Sequence, residues 1–136
     1  MDQVGRLALA NERVRATLAK EINLSLHEFN TLLHLDHDGP VTPKDLATRL
    51  SITTGSATAL VDRMVGAGYV NREPHPADRR SILLRLTPRG TDIVRGVRER
   101  YASAAGTAFD GLKPEQIREL ERFTAAFADQ LRAWKP

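Results

Sequence analysis

Apolar residues return every three or four positions through six stretches of this chain, and every second position through one. Val4, Leu7, Ala8, Asn11, Val14 and Leu18 predict a first, amphipathic helix over residues 3–20. Ser25 and Glu28 have the spacing of a capping box, with Leu24 and Phe29 set to staple the entry to a second helix. Leu26, Phe29, Leu32 and Leu33 supply its buried face, and Asp38-Gly39-Pro40 ends it. Thr42 caps a third helix, with Pro43 at its first position, Asp45 at its third and Val41 facing Leu46. That helix has room to run only to Leu50. Ser51-Ile52 makes a tight turn, and Thr53 caps a fourth helix whose inward stripe is Ala57, Leu60, Val61 and Met64. Gly68 is placed as its left-handed terminal residue.

The period then changes. Val70 and Arg72 alternate with Tyr69 and Asn71, and Ile82, Leu84 and Leu86 with Ser81, Leu83 and Arg85, which predicts a two-stranded hairpin. Its tip runs from Glu73 to Arg80, and two prolines there are expected to keep it open and unpaired. Thr87-Pro88 starts a long helix with Ile93, Val94, Val97, Tyr101, Ala104, Ala105 and Ala108 on one face, stopping near Asp110-Gly111. Pro114 starts the last helix. Its apolar set of Ile117, Leu120, Phe127, Leu131 and Trp134, with Thr124, comes close to a seven-residue repeat and suits packing against another helix. No internal repeat or low-complexity linker interrupts the pattern.

The third and fourth helices form a candidate helix-turn-helix, with Leu46, Leu50, Ile52, Ala57 and Leu60 turned inward and Ala47 as the small residue at their approach. A basic hairpin after such a pair lets one small domain touch both grooves of DNA. Charge agrees with this placement. The chain carries a net +3, but residues 41–100 alone carry +5 and the remainder −2. Basic charge gathered on one segment points to a polyanion partner for that segment. The fold class is therefore mainly α with a small β-hairpin, a winged helix-turn-helix core flanked by N- and C-terminal helices.

Four motifs carry a resemblance: Leu60-Val-Asp-Arg-Met64, Gly68-Tyr-Val-x-Arg72, Asp78-Arg-Arg80 and Leu86-Thr-Pro-Arg-Gly90. In order and spacing the chain resembles the MarR family of bacterial winged-helix regulators, along nearly its whole length. The resemblance implies one domain over residues 1–136. Segments 1–24 and 111–136 would join two copies, and 25–110 would form the DNA-binding lobe and linking helix. It also implies a homodimer on a pseudo-palindromic operator, most commonly acting as a repressor. The fourth helix would then be the recognition helix, presenting Thr53, Thr54, Gly55, Ser56, Thr58 and Ala59. The commoner family pattern often has arginine at the positions of Thr54 and Ala59, which are absent here. Hydroxyls, the thymine methyl and DNA shape must then supply more of the specificity, which favours a site rich in A·T pairs.

In the hairpin the resemblance implies that one of Arg79 and Arg80 enters the minor groove. The other would pair with Asp78 to shape the loop. Arg80 is favoured for the groove, and the order of the two stays open. Lys44 and Arg63 are candidate phosphate contacts, Arg63 alternatively an ion-pair partner of Asp62 or Glu73. A cleft for a small aromatic or amphipathic effector is also implied, with Arg15, His27, Asn30, His34 and Tyr101 as its polar candidates.

Other chemistry is poorly represented. With no cysteine there is no disulfide and no thiolate metal site, and His27, His34 and His37 lack the added ligand that zinc usually takes. No metal or cofactor is expected. The chain has no glycine-rich phosphate loop, nucleophile motif or suggestive carboxylate pair, so it does not read as an enzyme. No apolar run approaches the ~20 residues of a membrane span, and the N-terminus lacks the features of a signal peptide, so a cytoplasmic protein is expected. The alternative to DNA binding is a winged-helix module that serves protein–protein contacts.

Overall fold

The structure, a computed structural model, describes residues 2–134; Met1, Lys135 and Pro136, at the outer ends of the two flanking segments, lie outside the described residues. The elements run α1 (Asp2–Glu21), α2 (Leu26–Asp38), α3 (Pro43–Leu50), α4 (Thr54–Gly66), β1 (Val70–Pro74), β2 (Ile82–Leu86), α5 (Pro88–Ala105) and α6 (Pro114–Ala133). They divide into two compact units, Met1–Arg100 and Tyr101–Pro136.

The first unit is built on one apolar cluster to which nearly every element contributes. Leu32 and Leu35 come from α2, Leu46 from α3, Leu60, Val61 and Met64 from α4, and Val70, Leu84 and Val94 from β1, β2 and α5. Each large side chain buried there contributes about 1.5–3 kcal/mol. A second cluster of Leu18, Ala19, Phe29 and Val97 packs α1 against α2 and α5. β1 and β2 are antiparallel, with Val70 opposite Leu86 and Pro74 opposite Ile82. Val41, just before the α3 cap, exchanges backbone hydrogen bonds with Leu84 (3.3 and 2.8 Å). This third pairing ties the hairpin to the start of the helix-turn-helix.

Three expectations need correction. Leu26 does not join the buried face of α2 but is 40% exposed; Thr31 and Leu35 are buried instead. The Thr31 hydroxyl donates to the His27 carbonyl (2.8 Å), which satisfies it inside an apolar setting. α5 stops at Ala105, not near Asp110-Gly111. Gly106 is a poor helix former, and residues 106–112 go on in tight turns closed three residues back, such as Ala108 N–H to Ala105 C=O (2.8 Å). Finally, β1 runs through Pro74, so the open tip is shorter than Glu73–Arg80. A proline fits there because the outer side of a two-stranded sheet has no partner for an N–H.

The second unit contains α6, no residue of which is buried. Its apolar stripe of Leu120, Phe127, Leu131 and the following Trp134 is exposed, joined by Phe123, which the repeat did not predict. Phe123 and Phe127 stack with ring centroids 6.0 Å apart and planes 7° from parallel.

Candidate nucleic-acid interface

Local chemistry sets both helices of the pair. The Thr42 hydroxyl accepts from the Asp45 N–H (3.1 Å) and donates to its carboxylate (2.8 Å), starting α3. Ser51 closes α3 in the left-handed region (φ 54), and the Ile52 N–H returns to the Ala47 carbonyl (3.0 Å). The Thr53 hydroxyl then accepts from the Ser56 N–H (3.1 Å), which starts α4 at the predicted residue.

With Ala57, Leu60, Val61 and Met64 turned into the core, α4 leaves Thr54, Gly55, Ser56, Thr58 and Ala59 exposed. Two of the hydroxyls are spent within the protein. Thr53 donates to the Ser56 oxygen (2.9 Å) and Thr58 to the Thr54 carbonyl (3.0 Å). The free hydrogen-bonding capacity of this face is therefore small and short-reaching.

The hairpin differs. Arg72 pairs with Asp62 on α4, and Arg85 pairs with Glu73 across the strands (2.8 Å). Arg79 and Arg80 are exposed at the tip and, among the described residues, neither pairs with a carboxylate. The expected ion pair between Asp78 and an arginine is absent there. Asp78 instead accepts from the backbone N–H of Arg80 (2.9 Å), so it shapes the loop through the main chain. The His75 ring nitrogen Nδ1 accepts from the N–H groups of Ala77 and Asp78 (both 3.1 Å), a contact the sequence reading missed.

The hairpin base is latched by the Leu86–Gly90 motif. The Thr87 hydroxyl donates to the Gly68 carbonyl (2.7 Å) and accepts from the Gly90 N–H (3.0 Å), while the Thr87 N–H bonds the Tyr69 carbonyl (3.0 Å). A Cβ at position 90 would lie 2.2 Å from the Tyr69 oxygen, so only glycine fits. Gly68 has φ 75, as its predicted place required. Arg89 lies over the Tyr69 ring at 5.0 Å, a cation–π contact across the same joint.

Lys44 is exposed and, among the described residues, has no carboxylate partner. Arg63 does have one, but neither Asp62 nor Glu73: it pairs with Glu28 on α2 (3.3 Å). Burial alone would raise the Glu28 pKa. The Ser25 backbone N–H, the Ser25 hydroxyl and Arg63 together outweigh it and hold the carboxyl below its ordinary value. Arg63 keeps 59% of its side chain exposed.

The four candidate ligand residues of the first unit do not come together as one set. Arg15 donates to the Asn30 side chain, and both line a cavity of about 260 Å³ between α1 and α2, next to Asn11 and Glu12. Among the described residues, the buried Arg15 Nε has no hydrogen-bond partner. His27 lines a different groove, beside Ser56, Ala59 and Arg63. His34 stands 3.5 Å from Asp38, which also binds Arg49 from α3. Burial, with the nearby Arg49 and Arg15 charges, holds the His34 pKa below its ordinary value against the opposing pull of Asp38. Tyr101 belongs to the second unit. Among the described residues no group of three histidines or acids is arranged to hold a metal ion, and no helix is long and apolar enough to cross a membrane.

A capped helix pair with a latched, basic hairpin defines a winged helix-turn-helix protein. The model of the MarR family matches residues 22–81. The Multiple antibiotic resistance protein MarR of Salmonella typhimurium is 29% identical over 89 residues, covering 65% of this chain and 62% of that protein. The crystal structure of RV1404 from Mycobacterium tuberculosis superposes with a TM-score of 0.70 at 32% identity, over 95% of this chain and 92% of that one. A mutant MarR from E. coli, solved complexed with operator DNA, shares the fold at TM-score 0.63 and 22% identity, over 93% and 91% of the two chains. Over residues 22–81 the chain thus matches the MarR family, and it is similar to MarR proteins in sequence and in fold. It spans less than two thirds of the length of the curated relatives it matches.

Proposed function

We propose that this protein is a transcriptional regulator that binds double-stranded DNA sequence-specifically as a homodimer, represses from a pseudo-palindromic operator, and is released by a small aromatic or amphipathic ligand. The observation that carries this reading is the pair of exposed, acid-free arginines, Arg79 and Arg80, on a hairpin whose other two arginines are neutralised. Free guanidinium groups beside a helix-turn-helix suit the minor groove and the phosphates flanking it. The E. coli relative solved with operator DNA supports the same reading.

In this reading Thr53, Thr54, Gly55, Ser56 and Thr58 face the major groove, Lys44 and Arg63 reach phosphates, and Asp78 holds the wing. The short side chains of α4 favour an A·T-rich site read partly by groove width. The apolar stripe of α6 and, in the other unit, the exposed Val4, Leu7 and Leu9 of α1 are each surfaces that a second copy would cover. Residues 1–24 and 111–136 would thus serve dimerisation, and 25–110 DNA binding and linkage, within one cytoplasmic, non-enzymatic protein. Arg15 and Asn30 would receive the polar head of an effector. A ligand would act by favouring a spacing of the two recognition helices that no longer matches one turn of DNA, about 34–36 Å.

The test is a gel shift on DNA upstream of the protein's own gene, repeated across a salt series. Sequence preference with affinity falling steeply as salt rises is the expected result. Binding with neither property overturns the reading and favours a protein-contact module.

A further inference from the structure

We infer that His75 is the positioning residue of the wing, its imidazole holding the backbone turn that presents Arg79 and Arg80. The inference rests on the reading of the hairpin as a DNA-binding wing. An exposed tip of this length would otherwise sample many conformations, and ordering it costs about 1–2 kcal/mol per residue in backbone entropy. Nothing apolar is available to offset that cost, because Pro76 to Arg80 are all exposed.

The tip is held by two successive side-chain turns. His75 Nδ1 accepts from Ala77 and Asp78 (both 3.1 Å), and Asp78 Oδ1 accepts from Arg80 (2.9 Å). Two backbone bonds, His75 N–H to Ser81 C=O (3.2 Å) and Ser81 N–H to Asp78 C=O (3.0 Å), close the loop around them. Among the described residues, Arg79 keeps the one tip N–H with no acceptor, so its amide and guanidinium are both free for a phosphate. An imidazole nitrogen that accepts carries no proton, which requires the neutral tautomer with hydrogen on Nε2. Nδ1 is bonded to Cγ as the Oδ1 of asparagine is. His75 therefore reproduces the turn that asparagine and aspartate make with the N–H two residues on.

Two measurements test this. The first is nitrogen-15 NMR of the wild-type imidazole at neutral pH, with amide exchange at Ala77 and Asp78. The second is affinity for a duplex selected from random DNA by the wild type. We expect an unprotonated Nδ1 in the wild type. His75→Ala should lose amide protection and bind about tenfold more weakly, the equivalent of one or two hydrogen bonds. His75→Asn should restore both. A proton on Nδ1, wild-type binding by His75→Ala, or an asparagine variant no better than the alanine would each overturn the assignment. Should the wild type select no duplex, the DNA reading fails, while the tautomer and amide exchange still decide the role of His75.

Discussion

Helix α4 and the wing stand on the same core, yet they offer opposite resources. α4 is rigid, capped by Thr53 and buried along Ala57, Leu60, Val61 and Met64, but its outward face is short and partly self-bonded. The wing has no core of its own at the tip, yet it holds two long cations that, among the described residues, pair with no carboxylate. Precision of placement and reach of side chain are thus divided between two elements. In the proposed reading, much of the DNA site is read through charge and groove shape, with α4 fixing the register.

The largest way to break that division is the double substitution Arg79→Ala/Arg80→Ala. It removes two charge-assisted contacts from each protomer of the proposed dimer, so affinity should fall by on the order of 100-fold or more, and the salt slope should flatten by about four. Fluorescence anisotropy across a salt series checks both. Gly90→Ala attacks the wing from its base. The new methyl meets the Tyr69 carbonyl, and stability should fall by about 2 kcal/mol or more in chemical denaturation. On the other element, Thr54→Ala/Ser56→Ala should weaken binding only about tenfold and leave the salt slope unchanged, because neutral hydroxyls release no counterions.

The smallest effect concerns Glu28, whose lowered pKa makes its contribution dependent on pH. A depressed carboxyl adds stability that is present above its unfolded pKa and lost as pH falls through the folded one. Glu28→Gln should therefore cost under about 1 kcal/mol at neutral pH, since Arg63 is largely solvated, and flatten the acid limb of the stability curve. Denaturation melts between neutral and acid pH would reveal it.

Much of the fold was legible because its signals are local. Ser25, Thr42 and Thr53 are caps that name their own helix starts, and the inward stripe of α4 follows from period alone. What escaped notice depends on residues far apart in the chain. Glu28 claims Arg63 across 35 positions, Val41 pairs with Leu84 across 43, and no periodicity reports either. The exposed Leu26 followed the helical period but faces the Arg15–Asn30 cavity. The candidate site shows the same contrast. Asp78 stood out from its motif, yet its partner proved to be a backbone amide. His75 gave no such signal, because histidine is not among the residues that favour turns.

The most direct test of the division between wing and helix is selection from random DNA, run in parallel with the wild type and the Arg79→Ala/Arg80→Ala variant. The account predicts A·T-rich half-sites one helical turn apart for the wild type, with enrichment at the flanks lost in the variant. A strict G-rich major-groove consensus, retained by both proteins, would contradict it.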